Sequence, residues 1–495
     1  MTSLRPPQSI APPKRTTGPT IHPYAKYHSG AGSTGRVLHE QDNAVTIYSS
    51  AFANNGQHVV GCTSNGVIAV WNVRHSFLDN RHRRREEEPY IEEDGGVVDG
   101  EERGRKRSLD SMDGCHDDDH CDLRCEPLLC VRVEPPTSTT SNPNHSSLTT
   151  TTTNNNNTIL YDVQFLQNTN TSHSPLLLAV SGDPGILLYK WSDFERAISQ
   201  VEQQQNDHPS STDSTKVRPT IMEIPPLTCF RPHPSPTIES IEMNSTSLDG
   251  FHNWLYGAAG DGFGCYQWDL ESERLLGTFG GRGAGGGGGG TVPEGMRTGV
   301  ITGGEDGTMG FWDGKERKLI QMYNMQSTMD KSKQFVTGQS SNRGFMSNAS
   351  TIWNNGSNLW ISSMDTNGNW LAVCGGAENG INGITGRSSA AHAASGFMTL
   401  WHLPTRSFTS GCITRESINT VAYNPSLDLF ATGGNEGRIS YWESTKATRV
   451  GRSWCTPAAI YDIAVSPGSG IMVAAGCGGL LDCFVDRIKV SQLRF

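Results

Sequence analysis

The residues best suited to metal chemistry lie together near the end of an acidic segment. They are Cys115, His116, His120, Cys121, Cys125 and Cys130. Thiolates and imidazoles are the usual ligands of a tetrahedral structural zinc ion. However, the spacing matches no standard zinc module, and the aspartates at 117–119 are typical of a solvated acidic loop. We therefore predict neither a metal ion nor a cofactor.

The sequence carries no signature of a catalytic or nucleotide-binding site. The run GGRGAGGGGGG at 280–290 lacks the Lys-Ser/Thr pair that holds phosphate and Mg²⁺, and no helical pattern follows it. There is no hydrolase nucleophile elbow, no HExxH motif and no kinase signature set. The sequence therefore predicts a protein that is not an enzyme and has no small-molecule substrate.

The acidic charge of the chain is concentrated in one segment. The formal net charge is −10, and 16 acidic residues against 5 basic ones lie between Glu86 and Glu126, so the remainder is close to neutral. Because no basic stripe interleaved with aromatic residues occurs, we expect no direct nucleic-acid binding. No apolar run is long enough to span a bilayer and the first residues carry no secretory signal, so we expect an intracellular protein.

A short basic cluster interrupts the acidic segment. It consists of Arg103, Arg105, Lys106 and Arg107. Importin grooves bind adjacent Lys and Arg side chains, so the cluster is a candidate nuclear localisation signal. A solvated loop explains the same residues equally well.

One sequence pattern repeats along the chain and indicates the strands of the fold; we call it the recurring phrase. It consists of a β-rich run, a Gly-containing polar turn and a second β-rich run that ends in Trp or Phe. Asn-Gly, Asp-Gly and Glu-Gly turns tolerate the positive φ of a tight reversal, so each copy predicts an antiparallel hairpin. Seven copies occur, at 58–73, 176–193, 254–270, 299–314, 371–403, 429–444 and 471–486.

Further strand-like runs flank these hairpins. One precedes most copies, as in TIYSSAFA at 46–53, and another often follows, as in KLIQMY at 318–323. The closing aromatic residues recur at spacings of 41, 42 and 44 residues, which match the blades of a WD40 propeller. We predict an all-β, seven-bladed WD40-type β-propeller over 41–495 and a disordered N-terminal tail at 1–40.

The longer spacings coincide with changes in composition. The Gly-rich segment occupies the place of the first strand of blade four, so this blade could contain fewer strands. We predict an acidic insertion at 76–127, a Thr/Asn linker at 134–157, a Gln/Ser linker at 199–217 and a Gly-rich loop at 280–298.

The closing tryptophans and one hydroxyl network are predicted to be structural. None of the copies has the Gly-His dipeptide typical of WD40 repeats. In copy four, Thr302 and Asp306 are placed to form, with Trp312, most of a buried hydrogen-bonded network. The other closing tryptophans are Trp71, Trp191, Trp268, Trp401 and Trp442.

The stretch from Gly299 to Phe495 resembles the THO complex subunit 6 family of WD40 proteins. The resemblance is carried by GGEDGTMGFWD, by WISSMDTNGNWLAVCGGA with MTLWHLPTRS, and by the ending after the last blade. It implies a nuclear, non-enzymatic scaffold subunit of the THO/TREX assembly, which couples transcription and mRNP assembly to mRNA export. The implied partners are the other THO subunits, especially coiled-coil members, and TREX export factors. RNA would be reached only indirectly, and no membrane is involved.

A different function stays open for the same fold. Some WD40 proteins, including plant relatives of this family, are substrate receptors of cullin-RING ubiquitin ligases that dock on the adaptor through a Trp-Asp-X-Arg/Lys blade end. Trp312, Asp313 and Lys315 fit that pattern. These residues are also ordinary blade chemistry. An enzyme that uses the central channel is disfavoured because the sequence shows no polar constellation for it.

Overall fold

The structure is a computed structural model of the chain. All the residues it describes belong to one compact unit, formed by Glu40–Gly380 and Ala394–Phe495. It describes residues 45–53, 56–73, 124–133, 158–166, 176–207, 220–232, 237–244, 254–259, 264–279, 287–291, 299–331, 358–378, 395–414, 416–466 and 468–495.

Strands make up nearly all of the regular secondary structure in the described residues. In chain order the elements are β1 (Ile47–Phe52), β2 (His58–Thr63), β3 (Val67–Asn72), β4 (Arg124–Cys125), β5 (Leu129–Arg132), β6 (Leu160–Leu166), β7 (Leu177–Gly182), β8 (Gly185–Lys190), α1 (Trp191–Asp207), β9 (Thr220–Met222), β10 (Thr228–Phe230), β11 (Ile238–Asn244), β12 (Trp254–Ala259), β13 (Gly264–Asp269), β14 (Arg274–Phe279), β15 (Gly287–Thr291), β16 (Gly299–Gly303), β17 (Thr308–Asp313), β18 (Lys318–Asn324), α2 (Met325–Lys331), β19 (Asn358–Thr366), β20 (Trp370–Glu378), β21 (Ser395–His402), β22 (Ser407–Thr414), β23 (Ile418–Asn424), β24 (Leu429–Gly434), β25 (Arg438–Glu443), β26 (Arg449–Trp454), β27 (Ile460–Val465), β28 (Met472–Gly476), β29 (Leu480–Val485) and β30 (Ile488–Arg494).

These strands form seven sheets, which are the blades of a β-propeller. From the inside outward, blade one is β1-β2-β3-β5-β9, blade two β6-β7-β8-β10, blade three β11 to β14, blade four β15 to β18, blade five β19 to β22, blade six β23 to β26, and blade seven β27-β28-β29-β30-β4. The first strand of each blade contacts the first strands of its two neighbours, so these strands surround a central channel. The predicted fold class, an all-β seven-bladed propeller, is confirmed. None of the helices in the described segments is long and apolar enough to cross a membrane.

The recurring phrase corresponds to the second and third strands of every blade. In blade one, β2 pairs with β3 around Gly66, and in blade four β16 pairs with β17 around Gly307. Both glycines have positive φ, 75° and 71°, as the tight reversal requires. The local turn chemistry therefore determines where each hairpin reverses.

Apolar side chains fill every interface between neighbouring blades. Blades one and seven share a cluster that includes Ile47, Trp71 and Leu493. Comparable clusters join blades one and two, two and three, three and four, four and five, five and six, and six and seven. Burial of this surface is the main force that holds the blades together.

Short parallel strands connect adjacent blades on the outside of the ring. The segment from Arg124 to Arg132 first pairs in parallel with β30 of blade seven, through β4, and then forms β5 of blade one. Similarly, β9 pairs in parallel with β5 of blade one before the chain forms β10 of blade two. The seam between the last and first blades is therefore closed by one segment that adds a strand to both.

The Gly-rich loop predicted at 280–298 is wrong at residues 287–291, and the rest of it lies outside the described residues. Gly287–Thr291 forms β15, the innermost strand of blade four, and it pairs with β16. Glycine has low intrinsic strand propensity, so composition predicts a loop. In the ring, β15 contacts β11 on one side and β19 on the other, and it pairs with β16. These neighbours hold the segment in a strand, although its sequence has no alternating side-chain pattern.

The Gln/Ser linker predicted at 199–217 is also partly wrong, because α1 extends to Asp207. Trp191 begins this helix instead of ending a strand, and it is buried against Phe165 and Phe194. Apolar residues at 191, 194, 197, 198 and 201 follow a helical period and are buried. The polar composition after Val201 concealed this pattern.

The remaining predicted segments fall largely outside the described residues. The tail at 1–40, the linker at 134–157 and most of the acidic insertion at 76–127 lie there. The end of that insertion forms β4, which no pattern in the sequence predicts.

Candidate functional site

The inner strands carry carboxylates that bind the neighbouring blade. Asp162 Oδ2 accepts a hydrogen bond from the backbone N of Ile241 at 2.8 Å, and its Oδ1 accepts one from Ser49 Oγ at 2.8 Å. Asp365 Oδ2 accepts from the backbone N of Tyr423 at 2.6 Å. Each carboxylate is therefore used in construction of the ring and is not presented as a free catalytic group.

Asp462 makes the equivalent contacts across the seam of the ring. Its Oδ2 accepts hydrogen bonds from Ser50 N at 2.7 Å and from Ser50 Oγ at 2.9 Å. Burial raises the pKa of Asp462 to about 7, and the nearby Asp162 carboxylate also raises it. Burial likewise raises the pKa of Asp365 to about 6.

The stability of the fold should therefore decrease as the pH rises from about 4 to 7. In this window the folded protein holds a proton on Asp462 that the unfolded chain has released, because an unfolded aspartate titrates near pH 4. We expect Asp462→Asn to flatten this decrease, by on the order of 1 kcal/mol between pH 5 and 7. Urea midpoints measured across this range test it, with Glu271→Gln in an exposed turn as the control. An unchanged slope in Asp462→Asn would contradict the prediction.

Three tyrosines lie side by side at one end of the channel, at the start of the inner strands of blades seven, one and two. The ring centroid of Tyr48 is 5.6 Å from that of Tyr161 and 5.7 Å from that of Tyr461. Burial is the main cause that raises the pKa of Tyr48 and of Tyr461. The hydroxyls of Tyr48 and Tyr461 therefore stay neutral near pH 7, and these two side chains act as aromatic groups and not as bases.

Four buried cysteines have no nucleophilic chemistry near neutral pH. Burial raises the pKa of Cys265, Cys374 and Cys412 to about 12 and that of Cys130 to about 11. A thiolate is the reactive and metal-binding form, so these thiols are inert. Within the described segments, no group of three His, Cys, Asp or Glu residues could hold a metal ion. Residues 115–121 of the candidate zinc group lie outside those segments.

A small open cleft lies between the end of blade five and blade six. Its charged lining consists of Glu416, Glu436, Arg438 and Arg452, and Arg452 contacts Glu436 at 3.4 Å. Burial, then the neighbouring Glu436, raises the pKa of Glu416. The cleft continues to the outer strand β26, to which Arg452 belongs.

Charge is segregated between the inside and the outside of the ring. The first strands contain the acidic residues Asp162, Glu239, Glu242, Asp365 and Asp462 and no Lys or Arg. The outermost strands, with β4, β5 and β9, contain no Asp or Glu. Their basic residues are Arg124, Arg132, Arg274, Lys318, Arg449, Arg452, Lys489 and Arg494.

The proposed ligase-adaptor residues take part in a turn of blade four. Trp312 is buried, and Asp313 Oδ1 accepts hydrogen bonds from the backbone N of Lys315 and of Glu316, both at 2.9 Å. Asp269, at the same place in blade three, accepts from the backbone N of Glu271 at 3.1 Å. This turn is therefore a repeated blade feature.

Two of the three residues that were predicted to form a hydrogen-bonded network in blade four are bonded to each other. Trp312 Nε1 donates to Thr302 Oγ1 at 2.9 Å. Asp306 lies in an exposed turn and accepts from the backbone N and the hydroxyl of Thr308 instead, so it was wrongly included. A turn residue two positions before a strand caps that strand and does not reach the interior.

The other closing tryptophans are all buried, in different environments. Trp442 Nε1 donates to Thr432 Oγ1 at 2.8 Å and Trp401 Nε1 to Thr399 Oγ1 at 3.1 Å. The buried closing residues are Trp71, Trp191, Trp268, Trp401 and Trp442. The basic cluster of Arg103, Arg105, Lys106 and Arg107 lies outside the described residues and stays a prediction.

Sequence comparison identifies one repeat directly. Residues 404–443 match the family model described as WD domain, G-beta repeat. This range covers β22 of blade five and three strands of blade six, so the sequence repeat is offset from the blade by one strand. The ring is a WD40-type propeller.

The chain is also similar to one named plant protein. It is 24% identical over 329 residues to THO complex subunit 6 of Arabidopsis thaliana, an alignment that covers 65% of this chain and 70% of that protein. An alignment of this length reaches well beyond the single matched repeat.

Proposed function

We propose that this protein is a non-enzymatic scaffold subunit of a THO-type complex. In this role it docks other subunits and export factors in the nucleus, and so couples transcription and mRNP assembly to mRNA export. The observation that carries the proposal is the similarity to THO complex subunit 6 over 329 residues. It is supported by a ring whose inner carboxylates bind backbone groups of neighbouring blades, which favours a rigid platform over a catalytic site.

The test is purification of the tagged full-length protein from nuclease-treated nuclear extract, followed by mass spectrometry of the recovered proteins. Nuclease treatment removes proteins that are held only through RNA. Stoichiometric recovery of THO subunits supports the proposal. Recovery of a cullin adaptor without THO subunits refutes it.

The Lys315→Glu variant separates the scaffold from the ligase receptor. The side chain of Lys315 lies in an exposed turn, and only its backbone N serves that turn, so charge reversal should leave the fold intact. We expect unchanged recovery of THO subunits, because the scaffold proposal assigns no docking role to this side chain. Loss of a ligase adaptor in Lys315→Glu, with wild-type recovery in Lys318→Glu, would instead establish the receptor function.

A further inference from the structure

The outer strand of blade six has unusual chemistry for a sheet edge. In the described part of the chain β26 pairs with β25 alone, whereas β30 and β5 each receive a parallel fifth strand. Those two cases show that outer strands of this ring accept an extended segment in parallel. The edge of β26 offers the same kind of backbone groups.

Two large apolar side chains are exposed on β26. Trp454 is 67% exposed and Val450 is 41% exposed. The guanidinium of Arg438, on the paired strand, lies 3.4 Å from the ring centroid of Trp454 and holds that ring in place. Trp and Arg are among the residue types that contribute most of the binding energy at protein interfaces.

The charge of this edge is positive. β26 contains Arg449 and Arg452 and no acidic residue, and Arg438 lies beside it. Glu436 balances Arg452 at 3.4 Å. The pKa of Arg449 is lowered, first by burial and then by Arg452, as expected where cations crowd one another. An incoming carboxylate would relieve this repulsion.

Protection against aggregation explains only half of this arrangement. Edge strands often carry Lys or Arg because charge discourages pairing with another chain. The exposed Val450 and Trp454 of the same strand have the opposite effect. A binding edge explains both features, because the apolar side chains anchor a segment and the arginines select its charge.

We propose that β26 is a docking edge for an extended acidic segment of a partner protein. The segment adds to blade six as a fifth strand, with an apolar side chain against Trp454 and carboxylates near Arg438, Arg449 and Arg452. This inference deepens the docking role proposed above and rests on it. A polypeptide is favoured over RNA because the edge offers backbone N–H and C=O groups for strand pairing and the chain has a net charge of −10.

Arg452 and Trp454 are two residues apart and therefore share one face of β26, so a matching peptide carries its charges and its Phe on one face. The experiment uses the purified full-length protein and two labelled hexapeptides, acetyl-EVEVFV-amide and acetyl-KVKVFV-amide, in a fluorescence anisotropy titration. The two have the same apolar residues and opposite charge. We expect the acidic peptide to bind about tenfold or more tightly than the basic one. Trp454→Ala should weaken its binding about tenfold, and Arg452→Gln should weaken it severalfold.

Matched controls lie on the outer strand of blade four. Met322→Ala and Lys318→Gln remove an exposed apolar residue and an exposed cation from β18, and neither should change the affinity. Thermal unfolding of all four variants checks that they are folded. The inference would be overturned if both peptides bind equally, or if the β18 variants lose as much affinity for the acidic peptide as Trp454→Ala and Arg452→Gln do. It would also be overturned if single-stranded oligouridine displaces the acidic peptide in a manner that depends on Trp454.

The proposed THO-type function and the docking edge at β26 can be refuted independently of each other. If THO subunits co-purify with both wild type and Trp454→Ala, and the acidic peptide does not bind, the edge is wrong and the scaffold function stands. If the peptide binds but no THO subunit is recovered, the THO-type function is wrong and the edge serves another complex.

Discussion

The Trp71→Ala variant is expected to lose about 3–5 kcal/mol of the free energy of unfolding. Trp71 is fully buried between blades one and seven, and its Nε1 donates to the carbonyl of Arg494 at 3.2 Å. Truncation removes a large apolar surface and leaves a cavity at the seam of the ring. Urea denaturation followed by circular dichroism measures the loss.

A matched tryptophan on the surface separates burial from residue type. Trp454 is 67% exposed, so Trp454→Ala should change the unfolding free energy by less than about 0.5 kcal/mol. Trp71→Phe keeps a ring and loses the hydrogen bond to Arg494, and should lie between the two. Equal losses in Trp71→Ala and Trp454→Ala would show that the seam does not depend on this side chain.

The hairpins of the ring could be predicted because local chemistry determines them. Gly66 and Gly307 sit in turns that require positive φ, and the β-rich runs beside them form the second and third strands of their blades. The inner carboxylates were not recognised, although their signal was present. Asp162 and Asp462 occupy the same position, two residues after the start of an inner strand.

Other features depend on partners that are distant in sequence. The two-residue strand β4 has no pattern of its own and is defined only by its pairing with β30. The glycines of β15 form a strand because neighbouring strands surround them. Trp454 was not singled out, because the exposure of a strand residue depends on whether another strand covers it. Closure of the ring and the docking edge therefore required the structure.

Close approach of the backbone explains a glycine that recurs at or near the end of the second strand of a blade. A Cβ atom at this position would lie 1.9–2.3 Å from the carbonyl oxygen of a neighbouring residue. In blades two, six and seven that residue directly precedes the inner strand. The glycine and carbonyl pairs are Gly182 with Ile159, Gly375 with Trp360, Gly434 with Ser417, and Gly476 with Ala459.

Gly476→Ala should therefore lower the free energy of unfolding by about 3 kcal/mol. The new Cβ would lie 2.0 Å from the carbonyl oxygen of Ala459, so the backbone between blades six and seven has to move. Gly451→Ala on β26 is the control, because its Cβ would meet Arg487 Nη1 at 3.4 Å and Tyr441 Cδ2 at 3.8 Å, both ordinary contacts with side chains. There the loss of unfolded-chain entropy should leave stability unchanged or slightly higher. Similar urea midpoints for the two variants would show that the backbone at Ala459 shifts at little cost, and would contradict the prediction.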